Sequence, residues 1–376
     1  MLSAAGSSGQ QSAPSRRAGN HPAGAELGRF ARGGKPLMKR RLRLGVVGCG
    51  EIARYTALLA RFVPRLVLSA CCDHNDEKAH RFARQFRIPL AFTEVEEMLE
   101  TAGLDAVYLA LPHHLHAGMI RRAVEAGKAV LVEKPLTRTL SEGVALVNWL
   151  AGQNAKVGVN YQYRYDAAAY RLAQAVRAGE LGRVFSIRIN VAWRRDESYF
   201  RSAAWHSRLD QAGGGTLITQ ASHFLDLALW ALGEEAQEAA GWTATPRFDV
   251  EVETLAEAIL QTEGGTLISL TSTMAAAVEE AVRIEVYGER GQAVYTDLPL
   301  PRLHVRGVRL GRHPLPVAGL HALQRSLRAF VNWVLDDQPY LIPAEGALAV
   351  LAAVEAVYRS AQSGRRELVE KIRIAR

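Results

Sequence analysis

Residues 42–53, Leu42-Arg43-Leu44-Gly45-Val46-Val47-Gly48-Cys49-Gly50-Glu51-Ile52-Ala53, decide the fold. Leu44 to Val47 is the short apolar run of a buried strand, and Ile52 to Phe62 carries apolar residues at helical spacing. The glycine turn between them predicts a dinucleotide site. Gly48 permits a tight turn, Gly50 lets backbone come close to a pyrophosphate, and small Ala53 lets the helix pack on the strand. The helix N-terminus, at Glu51 and Ile52, then offers amide donors to the phosphates. A second apolar run, Leu66 to Cys72, ends on Asp73, 20 residues after Ala53. A carboxylate there accepts ribose hydroxyls and repels a 2′-phosphate, so NAD is the expected cofactor and NADP the alternative.

Outward from this unit the alternation continues. Glu77 to Phe86 is helical, with Ala79, Phe82, Ala83 and Phe86 on one face. Ala106–Leu111, Ala129–Val132 and Lys156–Val159 are further apolar runs. Strands alternating with helices predict βαβ units and a Rossmann-type, doubly wound parallel sheet. After Asn160 the pattern changes: Val184–Trp193, Leu255–Gln261, Thr266–Ser272, Val282–Tyr287 and Gln292–Asp297 read as closely spaced strands. Turns such as Glu263-Gly264-Gly265 and Gly288-Glu289-Arg290-Gly291 join them, so a largely antiparallel sheet is expected. Two helices, Leu320–Leu335 and Ala344–Ala361, close the chain, with Ser363-Gly364 as a stop signal. The predicted class is α/β: a nucleotide-binding domain over 38–159 and an α+β domain over 160–376.

Composition narrows the function. The 376 residues carry a formal net charge of +8, but seven basic residues against one acidic residue lie in the first 40, leaving +2 for the rest. A nearly neutral body lacks the basic face that nucleic acid requires. No uninterrupted apolar stretch reaches the ~18 residues of a membrane span. Cys49, Cys71 and Cys72 lack metal-ligand spacing and are expected to be buried thiols in a reducing compartment, which points to the cytoplasm. Residues 1–37 are rich in Ser, Ala, Gly and Arg without periodicity and are expected to be a disordered leader. A transit peptide is conceivable there, while Met38 followed by Lys39-Arg40-Arg41 reads as a natural start.

The chemistry-bearing residues cluster at strand ends. Glu133-Lys134-Pro135 follows the run Ala129–Val132, placing Lys134 at the strand edge where open parallel sheets bind ligands. A desolvated lysine can hydrogen-bond a substrate hydroxyl and act as a general acid or base. Gly213-Gly214-Gly215-Thr216-Leu217 leads into a helical pattern that sets Thr219, Ser222, His223 and Asp226 near one face. Asn160, Tyr161, Tyr163 and Arg164 follow the last parallel strand; Tyr163 and Arg164 are candidate substrate contacts, Arg164 for an anionic group. His113, His114 and His116 look metal-like, yet a nicotinamide site needs no metal, and none is expected. His116 is placed close to the cofactor instead. Asp226 is expected to orient or cap locally.

Gly48-Cys49-Gly50-x-Ile52-Ala53, Pro112-x-x-x-His116, Glu133-Lys134-Pro135 and Gly213-Gly214-Gly215-x-Leu217…His223-x-x-Asp226 occur in this order. From about Leu42 onward the chain thereby resembles the glucose–fructose oxidoreductase/inositol dehydrogenase/rhizopine catabolism (Gfo/Idh/MocA) family. That resemblance implies NAD(P)-linked oxidation or reduction of sugars, cyclitols or nucleotide sugars, and an open sheet that joins subunits into a homodimer or homotetramer. It implies Lys134 as the catalytic lysine, His223 as its partner, and Gly48, Gly50, Glu51, Ile52, Ala53, Asp73, Pro112, His116, Glu133 and Lys134 around the cofactor. Thr219 and His223, with Tyr163 and Arg164, would face substrate. The family's usual Asp, four residues before the histidine, is Thr219 here, which shifts proton transfer onto Lys134 and His223. Trp193-Arg194…Tyr199-Phe200…Trp205-His206 resembles members that act on nucleotide sugars or related pyranosides. A non-catalytic, cofactor-binding regulator of the same fold is the rival reading; a dihydrodiol- or biliverdin-type reductase differs only in substrate.

Overall fold

In the computed structural model, residues 40–374 are described; the expected leader, residues 1–37, lies outside them. Six short apolar runs become β1 (Leu42–Val47), β2 (Leu66–Cys72), β3 (Leu90–Phe92), β4 (Ala106–Leu109), β5 (Ala129–Val132) and β6 (Val157–Val159). All pair in parallel, in the order β3-β2-β1-β4-β5-β6. The chain winds outward from β1 in one direction and then from β4 in the other, so a crevice opens beyond the carboxyl ends of these two strands. Strands buried on both faces need apolar residues throughout, which is why β4 and β5 show no alternation.

The second sheet contains β7 (Val184–Ala192), β8 (Ala236–Ala244), β9 (Leu255–Thr262), β10 (Leu267–Thr273), β11 (Arg283–Gly288), β12 (Gln292–Thr296), β13 (Arg302–Arg306) and β14 (Glu367–Leu368). Their order is β13-β12-β11-β7-β10-β9-β8-β14, antiparallel except for the β7–β10 pair. Period-two alternation buries Ala256, Ala258 and Leu260 of β9 while Glu257 and Ile259 face outward. Helices Ser222–Leu232 and Leu348–Ser363 supply the apolar surface that the inner face packs on, and one hydrophobic core runs through both sheets.

The sequence reading omitted β3, β8, β13 and β14. Ala236-Gln-Glu-Ala-Ala-Gly-Trp-Thr-Ala is poor in β-branched residues, and β8 forms because β9 pairs with it along its length. β13 is an edge strand in which exposed Arg302, His304 and Arg306 alternate with half-buried Leu303 and Val305, and among the described residues its lateral partner is β12. The expected terminal helices are Ala322–Asp336 and Leu348–Ser363; the latter follows a 3-10 turn at Ala344–Ala347 and ends on Gly364 at φ +67°. Among the described residues no helix is long and apolar enough to cross a membrane.

Candidate active site

The glycine turn leaves β1 and enters helix Glu51–Ala60. Gly48 has φ +87°, and a Cβ there would lie 2.2 Å from the Ala110 carbonyl oxygen, so glycine is required twice over. A Cβ at Gly50 would instead meet nothing within 4 Å. That open space lies at a helix N-terminus which no side chain caps, with Glu51 and Ile52 exposed at its rim and Ala53 buried beneath. Uncapped amides facing open space fit a phosphate-bearing dinucleotide. Asp73 stands at the lip of the turn: its Oδ2 accepts from Cys49 N at 2.9 Å and its Oδ1 from Asn75 N at 3.0 Å.

Lys134 leaves the end of β5 and donates from Nζ to the main-chain oxygen of Thr219, which joins the two sheets' contributions. Burial lowers the amine from the usual lysine value to about 8; Glu133 opposes the shift and Arg195 adds to it. Behind Lys134, Glu133 is buried with Oε1 accepting from Tyr108 OH at 2.5 Å and Asn160 Nδ2 at 2.7 Å. Thr56 continues this chain at Tyr108, and Ser326 continues it at Asn160.

The opposite wall starts at the triple glycine. A Cβ at Gly215 would fall 1.7 Å from the Glu253 carbonyl oxygen. The buried Glu253 carboxylate accepts from Gly215 N at 2.6 Å, Leu217 N at 2.9 Å and Tyr358 OH at 2.9 Å, so it anchors the start of the next helix. That helix opens as a π-type turn, Leu217–Ala221, before the regular helix Ser222–Leu232. Such turns recur at functional sites because they displace the hydrogen-bond ladder. The Thr219 hydroxyl donates to Gly215 O at 2.6 Å, leaving its carbonyl for Lys134. His223, one turn on, is buried and held neutral first by burial and then by the Lys134 charge. Its Nδ1 has no hydrogen-bond partner among the described residues.

Rings close the site. His113 meets the edge of Trp205 at 4.7 Å, Trp205 lies 4.0 Å from His206, and His206 stacks on Tyr199 at 4.2 Å and 3°. On the other side Tyr163 packs on Phe224 at 4.6 Å and on His223 at 5.3 Å. Burial leads, and Lys134 contributes, in keeping His113 well below the ordinary histidine range and His206 down at about 4.

Four of the expected contact residues have side chains engaged by internal partners. Arg164 Nε and Nη2 hold Asp226 at 2.8 and 2.6 Å, and Nη1 donates to Leu341 O at 2.9 Å. Pairing with the buried Asp226 carboxylate, on the same helix as His223, satisfies the guanidinium charge internally. The His116 ring is engaged in the same way. Its nitrogens lie 2.8 Å from Pro135 O and 2.9 Å from Leu111 O, strapping the Lys134 loop to the segment beyond β4 that carries Pro112. The Glu133 side chain is committed to Tyr108 and Asn160, and the Thr219 hydroxyl to its own helix. Arg195, Glu253 and the support that Tyr108 gives Glu133 escaped the sequence reading. Asn160 was named only as a residue following the last parallel strand, and Arg195 lies beside the Trp193-Arg194 pair. Among the described residues no group of three or more His, Cys, Asp or Glu is placed to hold a metal.

Comparison with known proteins agrees with this geometry. Residues 42–161 match a model of an oxidoreductase family with an NAD-binding Rossmann fold, and residues 170–294 match a Gfo/Idh/MocA C-terminal domain. The chain is 25% identical to D-xylose 1-dehydrogenase (NADP(+)) 2 of Haloferax volcanii, over 86% of this chain and 98% of that protein. It is 30% identical to dTDP-3,4-didehydro-2,6-dideoxy-alpha-D-glucose 3-reductase of Saccharopolyspora spinosa, over 68% and 75%. The WlbA dehydrogenase from Bordetella pertussis, solved with NADH and UDP-GlcNAcA, superposes with a TM-score of 0.79 at 26% identity, covering 88% of this chain and 100% of that one. This chain belongs to the Gfo/Idh/MocA family of NAD-binding oxidoreductases.

Proposed function

We propose that the protein is an NAD(P)-dependent dehydrogenase that oxidises a secondary hydroxyl of a sugar, cyclitol or nucleotide sugar, with Lys134 as its acid–base residue. The observation that carries this reading is the desolvated Lys134 amine, tied to Thr219 O and facing a ring-lined wall at the carboxyl edge of the parallel sheet. Gly48, Gly50 and the helix N-terminus at Glu51–Ala53 would hold the pyrophosphate, Asp73 the adenosine ribose, and the main chain at Pro112 and Lys134 the nicotinamide end. The cofactor supplies a hydride acceptor. Lys134 Nζ, once neutral, takes the hydroxyl proton as the carbinol C–H bond breaks, and returns it in the reverse direction. Neutral His223, four residues beyond Thr219 and within the field of the Lys134 charge, would hydrogen-bond the same hydroxyl through its unpartnered Nδ1. Thr219 positions the amine through its main-chain carbonyl, while its hydroxyl, bonded to Gly215 O, puts no carboxylate where the family's usual Asp stands. The division into a nucleotide domain over 38–159 and a substrate domain over 160–376 is part of this proposal.

The relatives' substrates support the sugar-like class: a pentose, a dTDP-deoxysugar and UDP-GlcNAcA. The outer face of the second sheet exposes Trp242, Ile259 and Leu267 and supports assembly into a homodimer or homotetramer. Three free, buried cysteines fit a reducing, cytoplasmic setting. Measuring NADH formation across sugars, inositols and nucleotide sugars tests the reading. Turnover that disappears in Lys134→Ala while NADH still binds is the expected result. Cofactor binding without turnover by the native protein across that panel would favour a regulator.

A further inference from the structure

The collar of rings around Lys134 is interrupted by one cation that the mechanism does not use. Past the end of β7, Arg195 is fixed by its own backbone, N donating to Met274 O at 2.9 Å, and its Nη1 donates to Arg194 O at 2.9 Å. The guanidinium lies over Trp193 at 5.4 Å and over Tyr199 at 5.3 Å. The Arg195 charge acts on both Lys134 and His206, whose ring stacks on Tyr199, which places the guanidinium on the same wall as the Lys134 amine. The carboxylate facing it, Glu279, is 3.7 Å away and half exposed. That separation is longer than a direct charge-assisted hydrogen bond of about 2.7–2.9 Å, so the planar fork has no bidentate partner there. A cation oriented over two rings beside the aromatic wall is suited to a planar or tetrahedral oxyanion.

We infer that Arg195 is a specificity-determining residue that selects a sugar-like substrate bearing an anionic oxygen group, a carboxylate or a phosphoryl, next to the hydroxyl that faces Lys134. This rests on the dehydrogenase reading above. The alternative role, a purely structural clamp on Glu279, would leave substrate charge irrelevant.

The NAD-loaded enzyme is assayed on matched probes: neutral hexoses, the corresponding free uronates, and the hexose phosphates. Native protein should prefer one acidic group over its neutral partner by about tenfold or more in kcat/KM, and the preferred arm identifies carboxylate or phosphoryl. Loss of one charge-assisted contact is worth about 10- to 100-fold. Arg195→Gln should therefore shrink the acidic-over-neutral ratio of kcat/KM by that factor, mainly through the KM of the acidic probe, whatever its common effect on both probes through Lys134; Arg195→Lys should recover part of the ratio. Equal losses on both probes, or no preference in the native enzyme, would overturn the inference. If nothing is turned over, binding of the same probes to the NADH complex, read by cofactor fluorescence, still decides. Acidic binding that Arg195→Gln abolishes keeps Arg195 and discards the dehydrogenase reading, whereas binding indifferent to probe charge or to the substitution discards Arg195.

Discussion

A lysine amine that leaves water loses hydration for its charged form, and Lys134 loses it with Glu133 behind and Arg195 in front. The result, about 8, places its proton equilibrium near the pH at which an alcohol proton must be accepted. Alcohol oxidation should rise through about pH 8 as Nζ deprotonates, and the reverse reduction should fall across the same range; initial rates in both directions measure this. Lys134→Ala should lower kcat by about 10²–10⁴-fold with NADH affinity nearly unchanged by titration. At the other end of the crevice, Asp73→Ala removes both the ribose acceptor and the repulsion of a 2′-phosphate. NADP use should rise relative to NAD, measured as the ratio of kcat/KM values. Both residues were readable because each ends an apolar strand run. The internal partners of Arg164 and Glu133 were not readable, since only folding determines whether a polar side chain meets an internal partner or open space.

The element that organises the substrate wall is the helix entered through Gly213-Gly214-Gly215. Its apolar spacing was plain in the sequence, but a π-type turn over Leu217–Ala221 leaves that spacing nearly unchanged and gave no separate signal. Nor could Glu253 be matched to amides 36 and 38 residues away. Glu253→Ala would strand the Gly215 and Leu217 amides, each unsatisfied donor costing about 1–3 kcal/mol. Denaturant unfolding should show that loss, and activity should fall as Thr219 O moves off Lys134. Breaking the bidentate Arg164–Asp226 pair one turn below His223 by Asp226→Ala should cost about 3–5 kcal/mol, because a buried guanidinium is left uncompensated.

At the scale of the whole molecule, the histidines of the site, His113, His116, His206 and His223, are shifted below the usual value of about 6.5. The unfolded chain protonates them first as pH falls. Their contribution to stability is therefore intact above about 6.5 and is lost progressively below it, toward about 4 for His206. Melting temperature should decline steeply below pH 6.5, and His206→Phe should flatten that decline. Light scattering at the plateau pH would establish whether the outer face of the second sheet joins subunits.

The sequence by itself determined the parallel sheet, the glycine turn and the position of Lys134. Those features depend on local constraints: apolar runs that must be buried, a φ that only glycine adopts readily, and a strand end fixed by its own hydrophobic limits. Tertiary structure alone decided which polar groups remain available for chemistry. Arg164 was claimed by Asp226, the Thr219 hydroxyl by its helix and His116 by two carbonyls, whereas Lys134 and Arg195 were left on the ring-lined wall. Availability depends on long-range partners and on desolvation, and neither exists until both sheets close on one core.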